Sequence, residues 1–285
     1  MGGSGRWKYF RDARRRRCFL FCGRKTAFVN HAGQSLPREH ERAAGGRDLV
    51  EVNRKFYDAL WSQSRLERPE RFNTWPMISA LLPAASARLE IGPGLRPRLP
   101  LAGTHFIDIS APVIAQLEAR GGLAVAGEIT ALPFPDQAFD LIGAFDVIEH
   151  VEDDRRAFGE LSRVLKERGV LVFSVPLHPC RWTEFDDCVG HARRYEPAAL
   201  VALLAEHRLA VEKSAGFGMK PNNPRLLRFG MRWLAQHRTT AMRWYNGVFM
   251  PLGLLLQKRL KFAEGLIDPA GAGGIVLVCR RLPRT

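Results

Sequence analysis

No stretch of the 285 residues approaches the ~20 consecutive apolar positions of a membrane-spanning helix, so a spanning protein is not expected. The N-terminus also lacks the apolar core of a secretory leader: Cys18-Phe19-Leu20-Phe21-Cys22 is too short for one. Arg6 stands where a myristoylation signal beginning Met1-Gly2 needs Ser or Thr. Cysteines number only five, scattered and odd, which argues against a disulfide-stapled scaffold and for free thiols in a reducing, cytoplasmic setting. Cys18 and Cys22 have no companion ligands at zinc spacing, and no metal site is assigned. Acidic residues are scarce at both ends. Residues 1–48 carry a net +8 and residues 221–285 a net +9 of the total +14, leaving the middle at −3. Such flanks suit an anionic partner, whether nucleic acid, membrane lipid or acidic substrate, without choosing among them.

What is present is organised around Arg88-Leu89-Glu90-Ile91-Gly92-Pro93-Gly94. An apolar run ends in an acid and two glycines, and a second apolar run, Thr104 to Ile107, ends in Asp108. Strand, tight glycine turn, connection, strand and acid at the tip make a nucleoside-binding pattern. The glycines let backbone approach the ligand, and the carboxylate can accept from both ribose hydroxyls. A dinucleotide fingerprint would need a third glycine, but Leu95-Arg96-Pro97-Arg98-Leu99-Pro100 follows. Glu90 would repel a pyrophosphate and suits a cationic ligand group, which argues against a nicotinamide oxidoreductase. S-adenosylmethionine carries an ammonium and a sulfonium and no phosphate. Glu90-Ile91-Gly92-Pro93-Gly94 with Asp108 resembles the first two motifs of class I S-adenosylmethionine-dependent methyltransferases of the type 11-like kind. The resemblance covers about residues 50–217 and the last strand.

The alternation of helical and strand patterns predicts a doubly wound, Rossmann-like α/β fold with helices on both faces of a seven-stranded, mostly parallel sheet. The resemblance makes the last strand antiparallel, inserted beside the sixth. Five segments are expected: a basic, disordered tail (1–48), an N-terminal helical cap (49–85), the cofactor-binding core (86–220), a basic amphipathic helical insertion (221–268) and the final strand (269–285). In the cap, Val52, Phe56, Leu60 and Trp61 recur at helical spacing. Tyr57 or Trp61 would touch the cofactor or pack in the core.

Gly127-Glu128-Ile129-Thr130-Ala131-Leu132-Pro133-Phe134 resembles the family's adenine-side motif. The resemblance implies that Glu128 accepts from the adenine amino group, with Ile129 covering a ring face, although the family usually has Asp at that position. Ile109 joins the cofactor set beside Asp108. Phe145-Asp146-Val147-Ile148-Glu149-His150-Val151 matches the segment whose backbone approaches the methionine part, placing Phe145 and Asp146 there. His150 is a general-base candidate, or a structural histidine beneath the methyl site. Asp146, Glu149 and His150 are the kind of residues associated with a divalent metal in some quinone O-methyltransferases.

Gly190-His191-Ala192-Arg193-Arg194-Tyr195 lies in a loop expected over the substrate side. His191 is a second base candidate, Arg193 and Arg194 anion holders, and Trp182 and Tyr195 stacking surfaces. The alternative is an ion-paired scaffold using Asp186 or Asp187. An Asn/Asp-Pro-Pro-aromatic motif is absent after the fourth strand, and Cys180 shows no sign of activation, which weighs against nucleic acid.

In the insertion, Leu227, Met231 and Leu234 make one helical stripe and Arg225, Arg228 and Arg232 another. Trp244 to Leu256 is apolar and ends at Lys258-Arg259, which suits core packing, a dimer surface or an anionic membrane surface met through residues 225–262. The resemblance thus implies S-adenosylmethionine-dependent methylation of a small-molecule or lipid-linked acceptor by a cytoplasmic protein, peripheral to the inner face of a membrane if the last reading holds. An RNA methyltransferase and a non-catalytic, membrane-associated S-adenosylmethionine-binding scaffold are the alternatives.

Overall fold

The computed structural model describes residues 8–12, 17–22, 25–29, 49–62, 64–217, 230, 232–233 and 236–284. Among positions singled out above, Arg225, Leu227, Arg228, Met231, Leu234 and the Val52 side chain lie outside the described set. The chain divides into two compact units, Met1–Asp48 and Leu49–Thr285. In the first, β1 (Lys8–Asp12), β2 (Arg17–Cys22) and β3 (Lys25–Val29) pair antiparallel in sequence order. The sequence reading expects a disordered tail there. The strands form where β-prone residues cluster inside the basic composition, at Phe19-Leu20-Phe21 and Thr26-Ala27-Phe28-Val29.

The second unit opens with α1 (Leu49–Trp61) and α2 (Trp75–Leu81). There follow β4 (Arg88–Ile91), β5 (Thr104–Asp108), α3 (Ala111–Glu118), β6 (Leu123–Ala126), β7 (Phe139–Phe145), α4 (Asp154–Val164) and β8 (Leu165–Pro176). The chain closes with α5 (Glu184–Val189), α6 (Pro197–Glu206), β9 (Leu209–Phe217), α7 (Arg238–Trp244), a π-turn over Tyr245–Phe249, α8 (Met250–Leu256), β10 (Ala263–Glu264) and β11 (Gly274–Arg281).

One eight-stranded sheet runs in the order β10-β9-β11-β8-β7-β4-β5-β6. Strands β4 to β8 pair parallel, while β11 enters between β8 and β9 antiparallel to both. The sequence pattern gives seven strands. The eighth is β10, two residues pairing with β9 at Ala263↔Ser214 and Glu264↔Lys213, too short to leave a periodicity.

Strand β8 reads Val170-Leu171-Val172-Phe173-Ser174-Val175, apolar on both faces as a covered parallel strand must be. Leu171, Phe173 and Val175 join the core with Phe158 and Leu161 of α4 and Leu200 and Leu204 of α6. Val170 and Val172 join Ile78 of α2 on the other face. Local caps set the helix starts: the Asp153 side chain accepts from the Arg156 N–H at 3.0 Å, and Pro197 opens α6.

Candidate active site

Strand order reverses at β4: the chain runs outward through β5 to β6, then returns to lay β7 on the other side of β4. Open α/β sheets hold ligands in the crevice at that point, beyond the carboxyl ends of the strands. Gly92 and Gly94 follow β4 with φ of 58° and 52°, a backbone that any side chain would strain. Space excludes side chains as well. A Cβ at Gly92 would come within 2.7 Å of Val147, and one at Gly94 within 2.1 Å of the Trp61 indole. Asp108, buried at the tip of β5, accepts from the Gly94 N–H through Oδ2 (3.1 Å) and the Ser110 N–H through Oδ1 (2.9 Å). Burial raises its pKa, and the surrounding amides pull it partly back. Each oxygen keeps a further lone pair, so the carboxylate fits the paired hydroxyls of a ribose.

Glu90 departs from the sequence expectation. It is buried, and both its oxygens accept from the Arg98 N–H (2.8 and 3.0 Å) while Oε2 also accepts from the Leu99 N–H (2.8 Å). Burial, against those amides, pushes its pKa up to about 7. Its carboxylate therefore fastens the loop that follows the glycines and is not presented to a cationic ligand group. The Ile129 side chain packs against the main core, while Glu128 before it is exposed. Ile109 is exposed next to Asp108, and Phe145 is buried near the Arg98 guanidinium at 5.8 Å. Asp146 holds a left-handed φ of 54°, with its N–H donating to Ser174 Oγ (3.0 Å) and Ser174 Oγ donating to its Oδ1 (2.7 Å).

The histidines come together beside this crevice. A 3-10 turn over Ile148–His150 follows β7, and the Ala192 N–H donates to the Glu149 carbonyl at 2.7 Å, drawing the loop after α5 onto it. The rings of His150 and His191 lie 4.7 Å apart at 75°. His150 Nδ1 is 3.1 Å from the Gly190 carbonyl and 2.7 Å from the Asn53 amide, and its Nε2 is 3.4 Å from the Tyr57 hydroxyl. Desolvation, with His191 adding to it, takes the His150 pKa down to about 3.

His191 Nδ1 lies 2.8 Å from Asp186 Oδ1, and its Nε2 is 3.9 Å from Glu149 Oε1. Asp186 is fully buried and accepts also from Arg194 Nε (2.8 Å), Arg194 Nη2 (2.9 Å), the Thr183 N–H (2.7 Å) and Thr183 Oγ1 (2.8 Å). Burial opposes its ionisation, but donation from His191 and Arg194 outweighs it and holds the carboxyl below the usual range. An acceptor-only carboxylate fixes the proton on His191 Nδ1 and leaves Nε2 as the free base nitrogen. Glu149 is also buried, its Oε2 without a partner, and burial followed by the Asp146 charge raises its pKa well above the ordinary range.

The substrate-side expectations fare differently. Arg194 is engaged by Asp186, Arg193 pairs with Asp154 at 2.7 Å, and the Tyr195 hydroxyl donates to Asp154 Oδ2 at 3.0 Å. Arg193 and Arg194 thus build the loop through ion pairs with buried acids, and the Tyr195 hydroxyl is hydrogen-bonded to one of those acids. Trp182 is half-buried. One carboxylate oxygen of Glu149 and one ring nitrogen each of His150 and His191 lie within 4.8 Å of one another, a grouping with donor types that suit a divalent cation. His191 takes the place expected for Asp146 in that set. Sequence reasoning missed Asn53, which is remote in the chain from His150, and the orienting role of Asp186. The Thr183-x-x-Asp186 capping pattern and the Asp186–His191 spacing were the available signals.

Comparison with known proteins agrees with this geometry. The family model described as a methyltransferase domain matches residues 89–173. An uncharacterized methyltransferase from Mycolicibacterium vanbaalenii is 27% identical over 192 residues, 63% of this chain and 69% of that one. A malonyl-[acyl-carrier protein] O-methyltransferase from Herminiimonas arsenicoxydans is 33% identical over 106 residues, 34% of this chain and 40% of that one. The first two curated relatives are matched over only 36% and 56% of their length. A solved S-adenosylmethionine-dependent methyltransferase from Thermotoga maritima shares the fold at a TM-score of 0.50 and 18% identity, over 85% of this chain and 94% of that one. The glycine turn, the strand-tip acid and the reversal of strand order thus coincide with the matched segment, and residues 89–173 match the model of a methyltransferase domain within a fold shared with a solved S-adenosylmethionine-dependent methyltransferase.

Proposed function

We propose that this protein transfers a methyl group from S-adenosylmethionine to a small-molecule or lipid-like acceptor whose oxygen or nitrogen loses a proton to His191. When bound, the cofactor supplies an electrophilic methyl on a sulfonium. Gly92, Gly94 and Asp108 would hold its nucleoside part, with Asp146 at the tip of β7 facing the methionine end. The chain's own work is to align the two reactants and to take the proton. Asp186 keeps His191 in the tautomer whose Nε2 is basic. Glu149 lies beside it, buried, and that burial raises its pKa well above the ordinary range.

The carrying observation is the enclosed Asp186–His191 pair: the two side chains are 0% and 8% exposed. So closed a base suits a small group inserted from outside better than a polymer backbone laid across the surface.

Calorimetric titration with S-adenosylmethionine and NAD tests the cofactor half. Expected is micromolar binding of S-adenosylmethionine, weakened by about tenfold or more (~1.4 kcal/mol) in Asp108→Ala, with no heat from NAD. Folded protein that binds NAD, or neither ligand, would sink the reading.

A further inference from the structure

The segment Arg238–Leu256 is a continuous helical rod, α7, the π-turn and α8, roughly 28 Å long by its residue count. Its two sides differ sharply. Inward, Ala241 and Met242 are buried, the Tyr245 ring lies 5.3 Å from the Arg96 guanidinium, and the Asn246 amide donates to the Leu60 carbonyl at 2.9 Å. The C-terminal end is pinned as well: the Asn73 N–H donates to Gln257 Oε1 (2.9 Å) and the Asn73 amide to the Lys258 carbonyl (2.8 Å). Outward, Trp244, Val248, Phe249, Leu252, Leu255 and Leu256 form one stripe, with Leu255 78% and Leu256 71% exposed. A held helix that turns six large apolar side chains to water needs something to cover them.

Charge says what. Between positions 221 and 263 there are eight Lys or Arg and no Asp or Glu. Arg243, Lys258, Arg259 and Lys261 flank the stripe and are exposed. No helix among the described residues is long and apolar enough to cross a membrane. We infer that the Trp244–Leu256 stripe docks in the plane of an anionic lipid bilayer, its apolar side chains entering the headgroup boundary while the flanking cations meet lipid phosphates. A two-fold contact between copies of the chain would instead bring two such cationic segments together, and like charges oppose it. Tyr245 and Asn246 tie the same rod to the cofactor side of the sheet, so docking would set the active site at the bilayer. That suits the lipid-like acceptor proposed above and rests on that reading; vesicle binding itself does not.

The test is cosedimentation of the full chain with phosphatidylcholine vesicles, with and without phosphatidylglycerol. Binding should require the anionic lipid and fall about tenfold or more in the double variant Leu255→Asp/Leu256→Asp. Both positions are exposed, so folding and S-adenosylmethionine binding, measured in the same samples, should be retained. Equal sedimentation of parent and variant would overturn the inference. So would a dimer, seen by light scattering, that the double variant converts to monomer. Loss of vesicle binding with intact cofactor binding leaves the methyl-transfer reading untouched, and the converse failure leaves the surface untouched.

Discussion

His150 and His191 are near neighbours with opposite surroundings. The groups within hydrogen-bonding distance of His150 are uncharged: the Asn53 amide, the Gly190 carbonyl and the Tyr57 hydroxyl. His191 leans on the Asp186 carboxylate, itself fastened by Arg194 and Thr183. The first ring is held neutral, and the second has a counter-charge for the proton it would gain. Residue type and motif position mark both as bases; the partner on the far nitrogen separates them. The sharpest way to break that comparison is His191→Gln. With an acceptor that must lose a proton, kcat should fall about 10²- to 10⁴-fold while the S-adenosylmethionine Kd stays put, and His150→Gln should cost less than tenfold. Equal losses in the two variants would place the base elsewhere.

A step down in effect, Arg194→Met tests what holds the carboxylate. It breaks a buried pair and leaves Asp186 short of a partner, so chemical denaturation at pH 7 should show a loss of about 3–5 kcal/mol. The sign with pH follows from the depressed Asp186 pKa. Its stabilisation is present above the unfolded value near 4 and is lost as pH falls through the folded one. The gap between parent and variant should therefore be constant from pH 8 to 5 and close below about 4. A gap that persists into strong acid would mean the pair holds the loop by packing alone.

How much of this was legible in the chain depends on the reach of the contacts. The glycine turn and Asp108 were readable because each is a strand end, marked by a local change of residue type. So was the alternation that builds the parallel half of the sheet. The fate of Glu90 was not, since its partners are backbone amides of Arg98 and Leu99, and a sequence does not display which amides a loop leaves unpaired. Arg193, Arg194 and Tyr195 stood in plain view beside Asp186, but charge pairing needs the loop's path, and both arginines were equally plausible as anion holders. Asn53 lies in another element altogether and meets His150 only once α1 packs over the turn after β7. The outward stripe of Arg238–Leu256 was apolar on sight. Which side would face water required the inward anchors on Arg96, Leu60 and Asn73.

The smallest effect sharpens the comparison most, because it reads His150 without catalysis. Unfolded histidine titrates near 6.5, whereas His150 in the fold is held down to about 3. Between those values the unfolded chain binds a proton that the folded ring refuses, so stability falls as pH drops below about 6.5. By pH 5 that one group should cost about 1–2 kcal/mol. His150→Gln removes the titration and, at pH 7.5, gives up about 1 kcal/mol of hydrogen bonding. Urea titrations of the two proteins should therefore converge and cross as pH is lowered from 7.5 to 5, with the variant the more stable at the acid end. Parallel curves would mean that His150 takes up a proton in the folded protein as an open imidazole does. It would then be as available as His191 to receive one from the acceptor, and the distinction drawn from their partners would fail.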